Sequence, residues 1–329
     1  MQRSSVFSIF GGVTMAVYTP LSNEQIGEFL SNYDCGSFLL AEGILQGIDN
    51  TNYRIETTQG RYVLTIFESR IDPLDLPFFL GFMAHVADCG VRCPDPIIRR
   101  DGDLTGKLVG KTAVLMPFLS GRGVSSAEIT PELCCEFGSL LGHLHIAGLA
   151  FDETRKNSMG IDAWKTRVSA IGERGAPEVM EVIQGEIAYI ESNWPEHLPK
   201  GAVHADLFPD NVFITEGHVS GVIDFYFSAT EFLAYDLAIA VNAWCFDEHH
   251  EFVTERWESL MDGYSRLYKM SDDERGAFNV LLRGAALRFL VSRLHDFVFH
   301  DPAAFVAPKD PSEYLKKLEF HRHARILSC

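Results

Sequence analysis

No stretch of this 329-residue sequence approaches about 18 uninterrupted apolar residues, so no membrane-spanning helix is expected. Cations are scarce. Lys and Arg number 28 against 45 Asp and Glu, and 28 − 45 gives a net charge of −17. A surface that acidic speaks against nucleic acid as a partner, since such binding rests on neutralised phosphates. It speaks equally against adsorption on an anionic membrane, but leaves room for a local basic pocket. No Cys-x-x-Cys pair occurs among Cys35, Cys89, Cys93, Cys134, Cys135, Cys245 and Cys329, which removes zinc-ribbon and thioredoxin-like motifs. Their odd number and irregular spacing suit a reducing cytoplasm. Repeats and low-complexity runs are missing too. The opening MQRSSVFSIFGG has too brief an apolar patch for a secretory signal. Residues 1–14 read as a disordered extension ahead of Met15.

What is present is ordinary globular composition, 47% hydrophobic and 22% charged, enough to bury a full core. The length suits two lobes. Residues 20–34 read as a helix capped by Ser22. Three β-rich runs follow at 37–46, 51–57 and 61–67, joined by turn-forming segments at 47–50 and 57–60. An apolar helix is expected over 74–89 and a strand over 112–119. Helical periodicity returns at 131–149 and 176–193, breaks into short strands at 202–224, and resumes at 236–246, 250–269, 272–300 and 312–325. The pattern is α+β and two-lobed: an antiparallel-sheet front, residues 15–117, and a mostly helical rear, residues 118–329.

Chemistry concentrates in Val203-His204-Ala205-Asp206-Leu207-Phe208-Pro209-Asp210-Asn211-Val212. This fits His-x-Asp-x4-Asn, with Asp224 thirteen positions beyond Asn211 at the end of an expected hairpin over 212–224. The three-residue pattern should arise by chance about 0.03 times in such a chain, and about 0.001–0.002 times with the later Asp required. The spacing suits phosphoryl transfer. Asp206 can accept the proton of an attacking hydroxyl, while Asn211 and Asp224 offer oxygens to a Mg²⁺ that bridges nucleotide phosphates. Asp210 reads as a solvated loop carboxylate.

These residues resemble the catalytic loop and metal-binding Asp of the protein-kinase-like superfamily, in its aminoglycoside phosphotransferase and choline kinase branch. Tyr235-Asp236-Leu237-Ala238 begins only eleven positions after Asp224, which leaves no room for a long activation loop. The runs IDFYFSATEFLAYDLAIAVNAWCF (223–246) and GRYVLTIFE (60–68) resemble bacterial homoserine kinases of this fold, and so does the start at Met15-Ala16-Val17-Tyr18-Thr19. The resemblance extends to about His321. It implies a two-lobed kinase-like fold, ATP and Mg²⁺ as cofactors, and L-homoserine as the small-molecule substrate, phosphorylated on its side-chain hydroxyl on the way to threonine. It also implies that Asp206 is the base, that Asn211 and Asp224 hold the metal, that His204 braces the loop, and that Asp236 accepts hydrogen bonds from the loop backbone.

The sequence departs from the superfamily pattern in two places. Thr65 stands where a strand lysine is usual, and the helix over 74–89 carries no Glu. Arg54, Lys107 and Lys111 are candidate substitutes. The glycine-rich loop keeps one glycine, leaving Gly47, Asn50, Thr51 and Asn52 to meet phosphate. Adenine is expected near Met116 and Phe118. Arg288 and Asn242 are candidate substrate contacts. The alternatives are another small-alcohol kinase of this fold, for aminoglycosides or choline, and a catalytically inactive nucleotide-binding module.

Overall fold

The computed structural model describes residues 19–44, 50–68, 71–301, 307–324 and 326. The expected extension 1–14, the start at Met15 and Gly47 lie outside them. Two compact units emerge. The first holds residues 19–68 and 98–115, and the second holds 71–97, 116–301 and 307–324.

The first unit opens on α1 (Asn23–Leu30), where Ser22 and Gln25 form a reciprocal capping box. Then come β1 (Phe38–Ile44), β2 (Asn50–Thr57) and β3 (Gly60–Phe67). The strands β4 (Thr105–Leu108) and β5 (Lys111–Pro117) complete a five-stranded sheet in the order β1-β2-β3-β5-β4. The pairings β1/β2, β2/β3 and β4/β5 are antiparallel, as expected, while β4 was not legible in the sequence. Ile55, Leu64, Ile66, Val114 and Leu115 form the core of this sheet.

One expectation is corrected. The helix α2 (Leu76–Asp88) belongs to the second unit, not to the sheet lobe. Its aromatic face decides this. Phe78 meets the Phe151 ring at 5.6 Å and Phe82 meets Phe225 at 5.8 Å, both residues of the second unit. A two-residue strand, β6 (Arg122–Gly123), follows.

The second unit continues with α3 (Pro131–Leu149), α4 (Ile161–Ile171) and α5 (Pro177–Asn193). The helix α4 was missed because 151–175 is polar and Gly-rich. Its only signal is Trp164, Val168 and Ile171 on one face. Short strands β7 (Lys200–Val203), β8 (Val212–Thr215), β9 (His218–Val222) and β10 (Ala229–Phe232) come next. β8 and β9 form the expected hairpin, with Glu216 and Gly217 at positive φ in its turn. The helices α6 (Leu233–Trp244), α7 (Thr254–Ser265), α8 (Asp272–Val298) and α9 (Ser312–His323) finish the unit.

The crossing of α3 and α7 depends on missing side chains. A Cβ on Gly263 would stand 1.9 Å from the carbonyl oxygen of Cys135, and one on Gly138 would stand 2.1 Å from that of Leu260. These two glycines let the backbones touch. That contact places His145 of α3 against Tyr264 of α7, a pair on which the active loop depends.

Candidate active site

The loop that follows β7 is held from four sides. The Asp236 carboxylate accepts the Ala205 N–H at 2.8 Å and the His204 N–H at 3.3 Å. Burial in the first turn of α6 leaves that carboxylate facing His145 as well, at 3.2 Å, and His145 in turn bonds the Tyr264 hydroxyl at 2.7 Å. The Arg288 guanidinium donates to the Ala205 carbonyl at 2.8 Å. The Trp244 indole N–H donates to the Leu207 carbonyl at 2.9 Å, its ring stacked on Phe137 at 4.1 Å. Ala205 needs such support because its φ is +63°, a left-handed conformation unfavourable for a residue with a Cβ.

His204 points inward. Its Nε2–H donates to the Ile223 carbonyl at 2.9 Å, and its Nδ1 accepts the Asp206 N–H at 3.3 Å. One bond needs a donor and the other an acceptor, so the ring is neutral. Burial holds its pKa down to about 4. The histidine thereby links the returning strand to the loop.

Asn211 brings the chemistry together. Its amide donates to the Asp206 carbonyl at 2.8 Å and to the Asp206 carboxylate at 3.3 Å, while its own carbonyl accepts the Ile223 N–H at 2.9 Å. Asp224 follows immediately, at φ +67°. Burial, reinforced by Asp210 and opposed by Arg288, raises the Asp206 pKa to about 6. Asp210 itself is exposed and lies 3.9 Å from Lys309.

The donor set fits a hard cation. The amide nitrogen of Asn211 is spent on Asp206, which leaves its Oδ1 for a metal, and Asp224 follows Ile223, whose N–H donates to the Asn211 backbone carbonyl. Among the described residues there is no cluster of three or more His, Cys, Asp or Glu. Two protein oxygens suit Mg²⁺, which keeps its waters and shares substrate phosphates, better than a metal that needs a full protein cage.

In the sheet unit, Asn50, Thr51 and Asn52 turn out to be occupied. Asn50 accepts the Glu68 N–H at 3.3 Å. The Thr51 hydroxyl, fully buried, donates to Glu68 at 2.7 Å and accepts the Thr19 N–H at 3.1 Å. Asn52 accepts the Thr65 hydroxyl at 2.7 Å. These side chains tie strands together, so the expectation that they help hold phosphate is not met by their present bonds. Of the candidate substitutes, Lys111 pairs with Glu68 and also donates to the Thr19 hydroxyl at 2.7 Å. Burial raises the Glu68 pKa, but Lys111 and the Thr19 and Thr51 hydroxyls outweigh it and hold the group below the usual carboxylate range. Glu68 contacts Thr51, which lies on the face opposite Thr65, so Lys111 does not stand in for a lysine at position 65. Arg54 pairs with Glu42, and Lys107 bonds Thr112. Met116 is buried and Phe118 half-buried at the end of β5.

Of the two candidate substrate contacts, Asn242 is corrected. Asn242 is 0% exposed and spends its amide on the Ala238 and Leu282 carbonyls and its oxygen on His321. It is a core bond between helices and has nothing left for a ligand. Arg288, 1% exposed, works first as the brace on Ala205. Conversely, His145 and Tyr264 went unnoticed. Only His145 gave a signal, as a histidine on the buried stripe of α3.

The fold and this loop define a small-molecule phosphotransferase. The chain belongs to the phosphotransferase enzyme family, whose model matches residues 41–269. It is 43% identical over 311 residues to a homoserine kinase of Xanthobacter autotrophicus, covering 94% of this chain and 96% of that protein. It is 45% identical over 319 residues to one of Gluconacetobacter diazotrophicus, covering 95% and 99%. Among solved structures, an amicoumacin kinase in complex with AMP-PNP and Ca²⁺ superimposes with a TM-score of 0.71 at 14% identity, covering 93% and 95%. A microcompartment-associated aminopropanol kinase gives 0.63 at 17%, covering 92% and 94%. These two establish the kinase-like fold.

Proposed function

We propose that this protein transfers the γ-phosphoryl group of ATP to the side-chain hydroxyl of L-homoserine, forming O-phospho-L-homoserine and ADP. The observation that carries the reading is the pairing of Asp206 with Asn211 beside Asp224, in a chain over 40% identical along nearly its whole length to homoserine kinases. Asp206 accepts the hydroxyl proton as the new O–P bond forms and the bond to the ADP oxygen breaks. A pKa near 6 leaves it mostly ionised at neutral pH yet basic enough to take that proton. Asn211 orients the Asp206 carboxylate through its amide, and with Asp224 it holds Mg²⁺. When bound, the ion neutralises charge on the nucleotide phosphates. His204, Asp236 and Arg288 keep the loop in shape.

The test is a coupled ADP-release assay with saturating Mg-ATP and a panel of homoserine, 3-aminopropan-1-ol, choline and kanamycin. Homoserine should give the highest kcat/KM. If choline or kanamycin exceeds it, the homoserine reading fails while the kinase reading stands. If no compound releases ADP above background, the inactive module takes its place.

A further inference from the structure

The helix α8 buries three arginines, Arg283, Arg288 and Arg293. Two are matched. Arg283 makes a forked pair with Glu186 at 2.8 and 2.9 Å, and Arg293 pairs with Glu313 at 2.5 Å. Arg288 is the most deeply buried of the three, and among the described residues it has no carboxylate partner. Its one bond goes to the Ala205 carbonyl, and its Nε has no acceptor. Its charge is felt by Asp206, whose pKa it lowers, but no carboxylate is bonded to it, and a buried guanidinium with open donors can take an anion that comes and goes.

A second arginine shares its surroundings. On α4, Trp164 and Arg167 are three positions apart and share a face; on α8, Gly284 and Arg288 are four apart and do the same. These faces meet, for a Cβ on Gly284 would stand 3.5 Å from the Trp164 ring and 2.6 Å from that of Trp194. Arg167 is half-buried, and its one hydrogen bond among the described residues reaches the Met159 sulfur at 3.3 Å, a weak acceptor. Burial depresses its pKa and the charge of Arg288 adds to this, opposed by Asp296. Asp296 is 74% exposed and lies 3.6 Å from His295. Two guanidiniums thus lie on the packed faces of α4 and α8, and among the described residues no carboxylate is bonded to either.

We propose that Arg167, together with Arg288, forms the anion subsite that receives the α-carboxylate of the amino-acid substrate. This rests on the homoserine reading and names the group that enforces it. The reach is right. Homoserine's hydroxyl oxygen and carboxylate carbon are four bonds apart, about 5 Å. Arg288 touches the carbonyl of Ala205, the residue before Asp206. A carboxylate held by the arginines leaves the hydroxyl within range of the base. Arg167 is the adjustable partner, because it is neither fully buried nor spent on the loop.

The experiment compares kcat/KM for homoserine and for 3-aminopropan-1-ol, which lacks the carboxylate, in wild type, Arg167→Met and Arg167→Lys. Arg167→Met should cut the preference for homoserine roughly 100-fold, through the KM for homoserine, while the KM for ATP stays in place. Arg167→Lys should keep part of the preference, since charge remains but the fork is lost. If the preference survives in Arg167→Met, or both substrates decline alike, the subsite assignment is overturned and Arg167 is structural. A wild type that does not prefer homoserine overturns the substrate reading itself, before any variant is made.

Discussion

Ala205 and Asp224 both stand in the left-handed region, and Ala205 is held there by the Asp236 carboxylate and the Arg288 guanidinium. Asp tolerates that conformation better than most residues, and Asn does so as well. Asp224→Asn therefore removes charge without adding backbone strain. We expect it to weaken metal-dependent ATP binding by roughly 10- to 100-fold while metal-free nucleotide binding is retained. Isothermal titration with and without Mg²⁺ checks this, and unchanged Mg-ATP affinity would remove Asp224 from the metal site. The pattern of His204, Asp206 and Asn211 stood out in the sequence by its spacing, and hydrogen bonds bring these three together. Asn242 was misread because spacing along a helix does not say what surrounds it. It lies on a helix buried on nearly all sides, where a polar side chain more often closes a core bond than meets a ligand.

At the scale of elements, the site hangs on the contact between α3 and α7. Gly263→Ala would drive a methyl group into the Cys135 carbonyl and push the helices apart. That shift separates Tyr264 from His145, and His145 from Asp236, on which the loop backbone hangs. We expect a loss of about 1–3 kcal/mol of stability together with a fall in kcat. Denaturant titration and steady-state kinetics measure the two. A variant with wild-type kcat would mean that the loop does not depend on this chain of bonds. The elements themselves were mostly readable from caps, turns and periodicity. α3 ends where expected, and Ser22 caps α1. The helix α4 was not readable, because Gly160 gives no side-chain cap and its apolar stripe is only three residues wide. Arg167 went unread with it.

At the scale of the whole molecule, acid should unfold the chain through buried neutral histidines. His204 titrates near 4 and His321 near 3 in the folded protein, burial being the main cause in both, against 6.5 for an ordinary histidine. Below pH 6.5 the unfolded chain gains protons that the folded chain refuses, so their contribution is intact above 6.5 and is lost as pH falls. Each costs about 1.4 kcal/mol per pH unit over that window. Asp206, raised to about 6, works the other way and offsets part of the loss between 6 and 3.8. His321→Gln should flatten the slope of unfolding free energy by about one proton between pH 6 and 4. Parallel slopes for variant and wild type would contradict the neutral assignment of His321. The membership of α2 was not legible, because sequence order places it after β3 while its aromatic face belongs with Phe151 and Phe225.

The central claim is that Asp206 is the base of a phosphoryl transfer, and Asp206→Asn tests it most directly. The substitution keeps the shape and the bond to Asn211 but cannot take a proton. In a single-turnover experiment with Mg-ATP and homoserine, the rate of phosphoryl transfer should fall by about 10²–10⁴-fold, with ATP affinity changed by less than about threefold. A variant that transfers phosphate at close to the wild-type rate would contradict the account.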